Sequence, residues 1–345
     1  MRAEDQPAQA AVIAAPREWT LPKRPSVAAN IWKFTRRKPL GAFGMLIMIT
    51  MLAMTLGTPK ADFGTPELPS RPLGFELGKP WLARYDAEAI FREADTGRIA
   101  RYHEPDATHW LGTDKGGRDT YSRMVFAAQR SLFIGLWALM FATVIGTAVG
   151  VVSAYFRGWF DTIIQRIMDS FQAFPALLIL ILLVSLRPPS LTILAFGLGF
   201  VGVTSVQRIV RGVVLSTREQ PFVEAARVIG ATDLRTMVFH ILPNIMAPII
   251  VVFSIGLGAV ILAEAALAFI APQRVPQDPS WGIMLQQTRD AIPPFPPFAP
   301  FTILKGTPQG YHTLAAGGAI ALAVLGFNLA GDALRDVLDP RLRVG

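Results

Sequence analysis

TREQPFVEAARVIGATDLRTMVFHILP, residues 217–243, sits between apolar runs at about 190–214 and about 244–270. Pro221 stands where a helix begins, because the first helical position has no use for a backbone N–H. Glu224 falls in the first turn, where a carboxylate suits the positive end of the helix. Ala225, Ala226, Val228 and Ile229 give this helix small and aliphatic contact residues, and Gly230 stops it. Thr232 or Asp233 then caps a second short helix. Pro243 closes the segment at the foot of the next apolar run. A loop that only joins two spans needs far fewer residues. A structured one suits docking into a groove on another protein. An amphipathic helix resting on a lipid surface fits the same residues equally well.

Outward from this loop, the sequence is dominated by membrane-length apolar segments. Crossing a hydrocarbon core of roughly 30 Å takes about 20 apolar residues. Six segments qualify: about 39–57, 131–155, 163–186, 190–214, 244–270 and 313–334. The expected fold is therefore an all-α polytopic membrane protein with six transmembrane helices. Residues 1–38 form an N-terminal tail, 58–129 an exported loop, 130–336 a five-helix core and 337–345 a C-terminal tail. Within the core, 271–312 is a second exported loop. Its stretch PPFPPFAPF at 293–301 is too rich in proline to be a spanning helix. That stretch either lies along the outer interface, covering the mouth of a pathway, or packs as an ordinary surface loop.

Composition agrees with this reading. Of 345 residues, 52% are hydrophobic and only 17% charged, against about 25% charged in average soluble domains. Mean hydropathy is +0.40. Cysteine is absent, which removes disulfides and thiol chemistry. The net charge of +8 comes largely from residues flanking apolar segments, so it reads as orientation in a bilayer rather than nucleic-acid binding. Arg17, Lys23, Arg24, Lys33, Arg36, Arg37 and Lys38 precede the first span. They place the N-terminus in the cytoplasm, and with six spans the 217–243 loop and the C-terminus follow it there. Residues 1–38 are polar and Pro-rich, unlike a signal peptide, so the first apolar run is expected to stay as a span.

Other candidates are weaker. His103, His109, His240 and His312 lack metal-pair spacing. GTDKGGRD at 112–119 has a lysine among glycines but lacks the phosphate-loop pattern, so the chain is expected to bind no nucleotide and to be no enzyme. Glu264, Gln207, Arg208, Arg211, Asn328 and Asp332 lie in or near spans. They read as snorkelling and interhelix hydrogen bonding near the ends, or as pathway residues. No pair stands at mid-membrane as a proton relay requires, which disfavours a secondary transporter or channel, the alternative class.

Glu224-Ala225-Ala226, then Gly230, then Ile241-Leu242-Pro243 resembles the EAA signature of binding-protein-dependent ABC importer permeases. HWLGTDKGGRDTYSRMVFAAQRSLFIG at 109–135, DPSWGIML at 278–285 and FNLAGDALRDVLDPR at 327–341 resemble second-subunit permeases of the dipeptide/oligopeptide/nickel type. The resemblance implies a bacterial inner-membrane permease whose 217–243 loop is a coupling helix. Its contacts would be Glu224, Ala225, Ala226, Gly230, Asp233, Leu242 and Pro243. The implied partners are a second homologous permease, two ATP-binding subunits that hold the ATP, and a soluble substrate-binding protein. The chain departs from the family pattern after the fifth span, where AFIAPQRVPQ at 268–277 replaces a Gly-rich turn. That departure leaves the substrate open.

Overall fold

The computed structural model describes residues 35–36, 38–55, 82–93, 95–289 and 308–338. The basic residues up to Lys33, the PPFPPFAPF stretch and the tail beyond 338 lie outside them. Among the described residues the architecture is helical, with three isolated β-bridges between Ile90 and Asp119.

The apolar segments appear in the expected order. They are α1 (Pro39–Thr55), α2 (Thr120–Phe156), α3 (Gly158–Gln172), α4 (Ala176–Ser185) and α5 (Leu191–Thr217). The connecting loop forms α6 (Pro221–Val228), α7 (Asp233–Arg235) and α8 (Leu242–Asn244), and α9 (Met246–Ile270), α10 (Trp281–Gln287) and α11 (Pro308–Leu338) follow. Helices α2, α5, α9 and α11 are each long and apolar enough to cross a membrane, while α1 is a shorter apolar helix.

The third expected span, 163–186, is two helices instead of one. α3 and α4 meet at 85°. Pro175 is the cause: it has no N–H to donate and disfavours helical geometry at Phe174. The second span differs at its start. It begins at Thr120, where the Asp119 side chain accepts the Ser122 N–H, so residues 120–129 of the expected exported loop belong to the helix.

α2 and α5 form the most extensive helix pair, joined by a seam of small residues. A Cβ on Gly146 would lie 2.8 Å from Val206 Cβ, and one on Gly199 would lie 2.7 Å from Ala138 O. Glycine there lets the backbones approach closely in lipid. α1 packs on α11 in the same way, with Gly44 against Leu329 and Ala330. Two arginines of α5 reach back to α3: Arg208 pairs with Asp169 at 2.8 Å and Arg211 with Asp161. These charges form interhelix pairs; they do not simply snorkel.

Candidate functional site

The bundle has two distinct ends: one carries the 217–244 loop, the other the excursion 82–119 with α10.

At the loop end, Gln220 is extended and Pro221 opens α6, as its fixed φ favours. Gly230 ends it with φ +84. Its N–H reaches Arg227 O and the Ala231 N–H reaches Ala226 O, both at 3.0 Å. This is the paired hydrogen bonding of a Schellman stop, whose left-handed position favours glycine. Nothing lies within 4 Å of where a Gly230 Cβ would stand. Thr232 Oγ1 then accepts the Arg235 N–H at 3.4 Å and caps α7. Thr236–Ile241 continues as a π-helix, a geometry found often at functional sites. After Pro243 the chain turns at Ile245 and enters α9.

The two faces of this loop differ. Val223, Met237, Ile241 and Ile245 are buried in one cluster with Val151 and Tyr155 of α2 and Val210 and Val214 of α5. Ala226 is also buried. The opposite face is open and apolar: Val228 is 83% exposed, Ile229 82%, Phe239 70% and Leu234 68%. Apolar exposure of this kind outside the spans suits contact with a partner or with a lipid surface.

The expected contact residues divide between these faces. Glu224, Ala225, Gly230 and Pro243 are exposed. Asp233 is exposed too, but its carboxylate accepts the Tyr155 hydroxyl at 2.6 Å. Ala226 points into the chain's own core, and Leu242 packs partly against it. Phe239 escaped the sequence reading because it lies in the π-turn, which shifts side-chain register away from the α-helical spacing; Leu234, in α7, was read only as part of the second short helix. Tyr155 was not singled out from the sequence, where it is one aromatic at the end of an apolar run.

At the opposite end, two of the motif segments interlock. Arg130 of α2 donates to Pro276 O at 3.0 Å and to Asp278 O. Trp281 Nε1 donates to Met124 O at 3.2 Å, and Ser280 caps α10. Gly282 lies against Ala265 of α9 so closely that a Cβ would come within 2.6 Å of its Cα. Glu264, also in α9, is buried and accepts from Ser131 at 3.4 Å. In the excursion, Asp114 meets Arg118 at 2.8 Å and Arg123 at 3.4 Å. Burial pulls the Asp114 carboxyl upward, but the Arg118 hydrogen bonds and the Arg123 charge outweigh it and hold the group below its ordinary value. His109 pairs with Asp119 at 2.9 Å and His312 with Thr120 at 2.8 Å, so each imidazole bridges protein groups. No group of three or more metal-ligating side chains occurs among the described residues.

Comparison with known proteins agrees with this architecture. Residues 146–344 match the family described as binding-protein-dependent transport system inner membrane component. The dipeptide transport system permease protein DppC of Alkalihalophilus pseudofirmus is 40% identical over 250 residues, covering 72% of this chain and 78% of the relative. The glutathione transport system permease protein GsiD of Shigella dysenteriae serotype 1 is 36% identical over 263 residues, covering 76% and 80%. The Escherichia coli O157:H7 protein of the same name matches to the same extent. The chain belongs to the family of binding-protein-dependent transport system inner membrane components, as a multi-pass permease of the inner membrane.

Proposed function

We propose that this permease is one half of the substrate pathway of an ATP-driven importer for small peptides, and that its 217–244 loop docks an ATP-hydrolysing partner on the cytoplasmic side. The observation that carries the docking is the open apolar face of Val228, Ile229, Leu234 and Phe239 on a loop whose other face is fixed in the core. Burying such a face against a partner is worth about 25 cal/mol per Å2. The fixed back of the loop keeps the ordering cost of docking low. The basic residues before α1 favour a cytoplasmic N-terminus and loop.

In this reading the chain pairs with a second permease and two ATP-binding subunits, and a soluble binding protein delivers the load to the excursion end. ATP stays with the partner subunits. Closure of the ATPase pair moves the docked loops and shifts the spans between inward-open and outward-open states, each ligand favouring the state it binds better. The substrate class rests on relatives named for a dipeptide and for glutathione, both of which carry peptide groups.

Val228→Asp with Ile229→Asp tests the docking. Both side chains are exposed, so the subunit should insert normally yet lose its co-purifying ATPase in mild detergent. ATPase retained at the wild-type level would contradict the proposal.

A further inference from the structure

The loop is joined to the bundle covalently at two places, the end of α5 and the start of α9. Its back face also packs on α2 and α5 through Val223, Met237, Ile241 and Ile245, but apolar packing is non-directional. Tyr155 of α2 adds a directional attachment to that packing. Its hydroxyl donates to Asp233 Oδ1 at 2.6 Å. The Arg227 guanidinium lies 4.9 Å from its ring centroid, within cation–π range. Arg218, just before α6, donates to the carbonyls of Ala154 and Tyr155. Tyr155 is itself buried. One residue at the end of α2 thus holds groups from before, within and after α6.

α2 is a 37-residue helix, about 55 Å long at 1.5 Å per residue. Asp119, which caps its far end, holds His109 of the excursion, and Arg130, further along, holds the Pro276–Asp278 segment. α2 thus runs unbroken from Tyr155 to the opposite end of the bundle.

We propose that Tyr155 is the positioning residue that locks the loop to α2, so that loop and α2 move as one body when the partner ATPase closes. This rests on the docking reading above.

The test uses the assembled transporter with its ATPase in lipid. The chain has no native cysteine, so when it is labelled before assembly the spin labels go only where placed: at Ala231→Cys on the loop and Val144→Cys on α2. In the otherwise wild-type chain the label distance should stay constant between the nucleotide-free and ATP–vanadate states. Tyr155→Ala should let it shift with nucleotide, and Tyr155→Phe, which keeps the ring under Arg227, should shift it less. Asp233→Asn preserves an acceptor for the hydroxyl and should behave as wild type, whereas Asp233→Ala should behave as Tyr155→Phe. A wild-type distance that drifts with nucleotide as far as in Tyr155→Ala overturns the proposal. So does a Tyr155→Ala distance that stays fixed. Loss of the ATPase from the wild-type preparation would overturn the docking reading, and this inference with it. Retention of the ATPase alongside a drifting wild-type distance overturns this inference alone.

Discussion

Arg211 of α5 grips Asp161 of α3 at two points, Nε to Oδ1 at 2.8 Å and Nη2 to Oδ2 at 2.6 Å. This fork holds α3 beside α5 ahead of the break at Pro175. A planar guanidinium makes both bonds at once, which a lysine ammonium does not. Arg211→Lys should therefore lower the thermal midpoint of the detergent-solubilised protein slightly. Arg211→Ala, which leaves the buried Asp161 carboxylate without its cationic partner, should lower it more, by about 1–3 kcal/mol in stability. Equal midpoints for the two variants would mean the fork adds nothing.

Gly230 separates backbone strain from bulk. Its φ of +84 is unfavourable for any side chain, at a cost of about 1 kcal/mol, yet the space around its Cβ direction is empty. Gly230→Ala should keep the loop folded and the ATPase bound. Gly230→Trp should keep the fold but block docking, as measured by ATPase co-purification. Ala226→Asp is a different case. That residue is 3% exposed, so a carboxylate there lacks a partner in the core and should unfold the loop, read as faster hydrogen exchange across 221–244.

Asp114 gives the excursion a defined response to acid. Its carboxyl is held below its ordinary value by Arg118 and Arg123, against the pull of burial. A depressed folded-state pKa contributes stability that is present above the unfolded value and lost as pH falls through the folded one. Hydrogen exchange over 82–119 should therefore stay slow at neutral pH and quicken only below the ordinary carboxylate range. Asp114→Asn should exchange faster at neutral pH and respond less to acid.

Gly282 is a packing prediction. A Cβ there would come within 2.6 Å of Ala265 Cα and 2.8 Å of Ala268 Cβ. Gly282→Ala should destabilise the fold by about 1–3 kcal/mol through overpacking, seen as a lower thermal midpoint, with ATPase binding at the loop end unchanged.

The apolar segments were legible because membrane length is written directly in hydropathy. The loop's punctuation was equally legible: Pro221 and Gly230 act through local backbone chemistry where the sequence placed them, and of the two cap candidates, Thr232 and Asp233, it is Thr232 that caps α7. The break at Pro175 was carried by one proline inside the 163–186 segment, whose Gln165, Arg166, Asp169 and Gln172 all precede it. Which loop residues face outward was not legible. Ala225 and Ala226 are alike in sequence, and only the folded loop buries one and leaves the other open. Tyr155 contacts Asp233 across 78 positions, and no local pattern encodes that distance.

The account stands on the 217–244 loop meeting its ATPase on the cytoplasmic side, and Ala231→Cys in this cysteine-free chain reads that directly. A membrane-impermeant maleimide should label it in inverted vesicles stripped of the ATPase, fail to label it once the ATPase is added back, and fail to label it in intact cells. Labelling from outside intact cells, or labelling in inverted vesicles indifferent to the ATPase, would contradict the account.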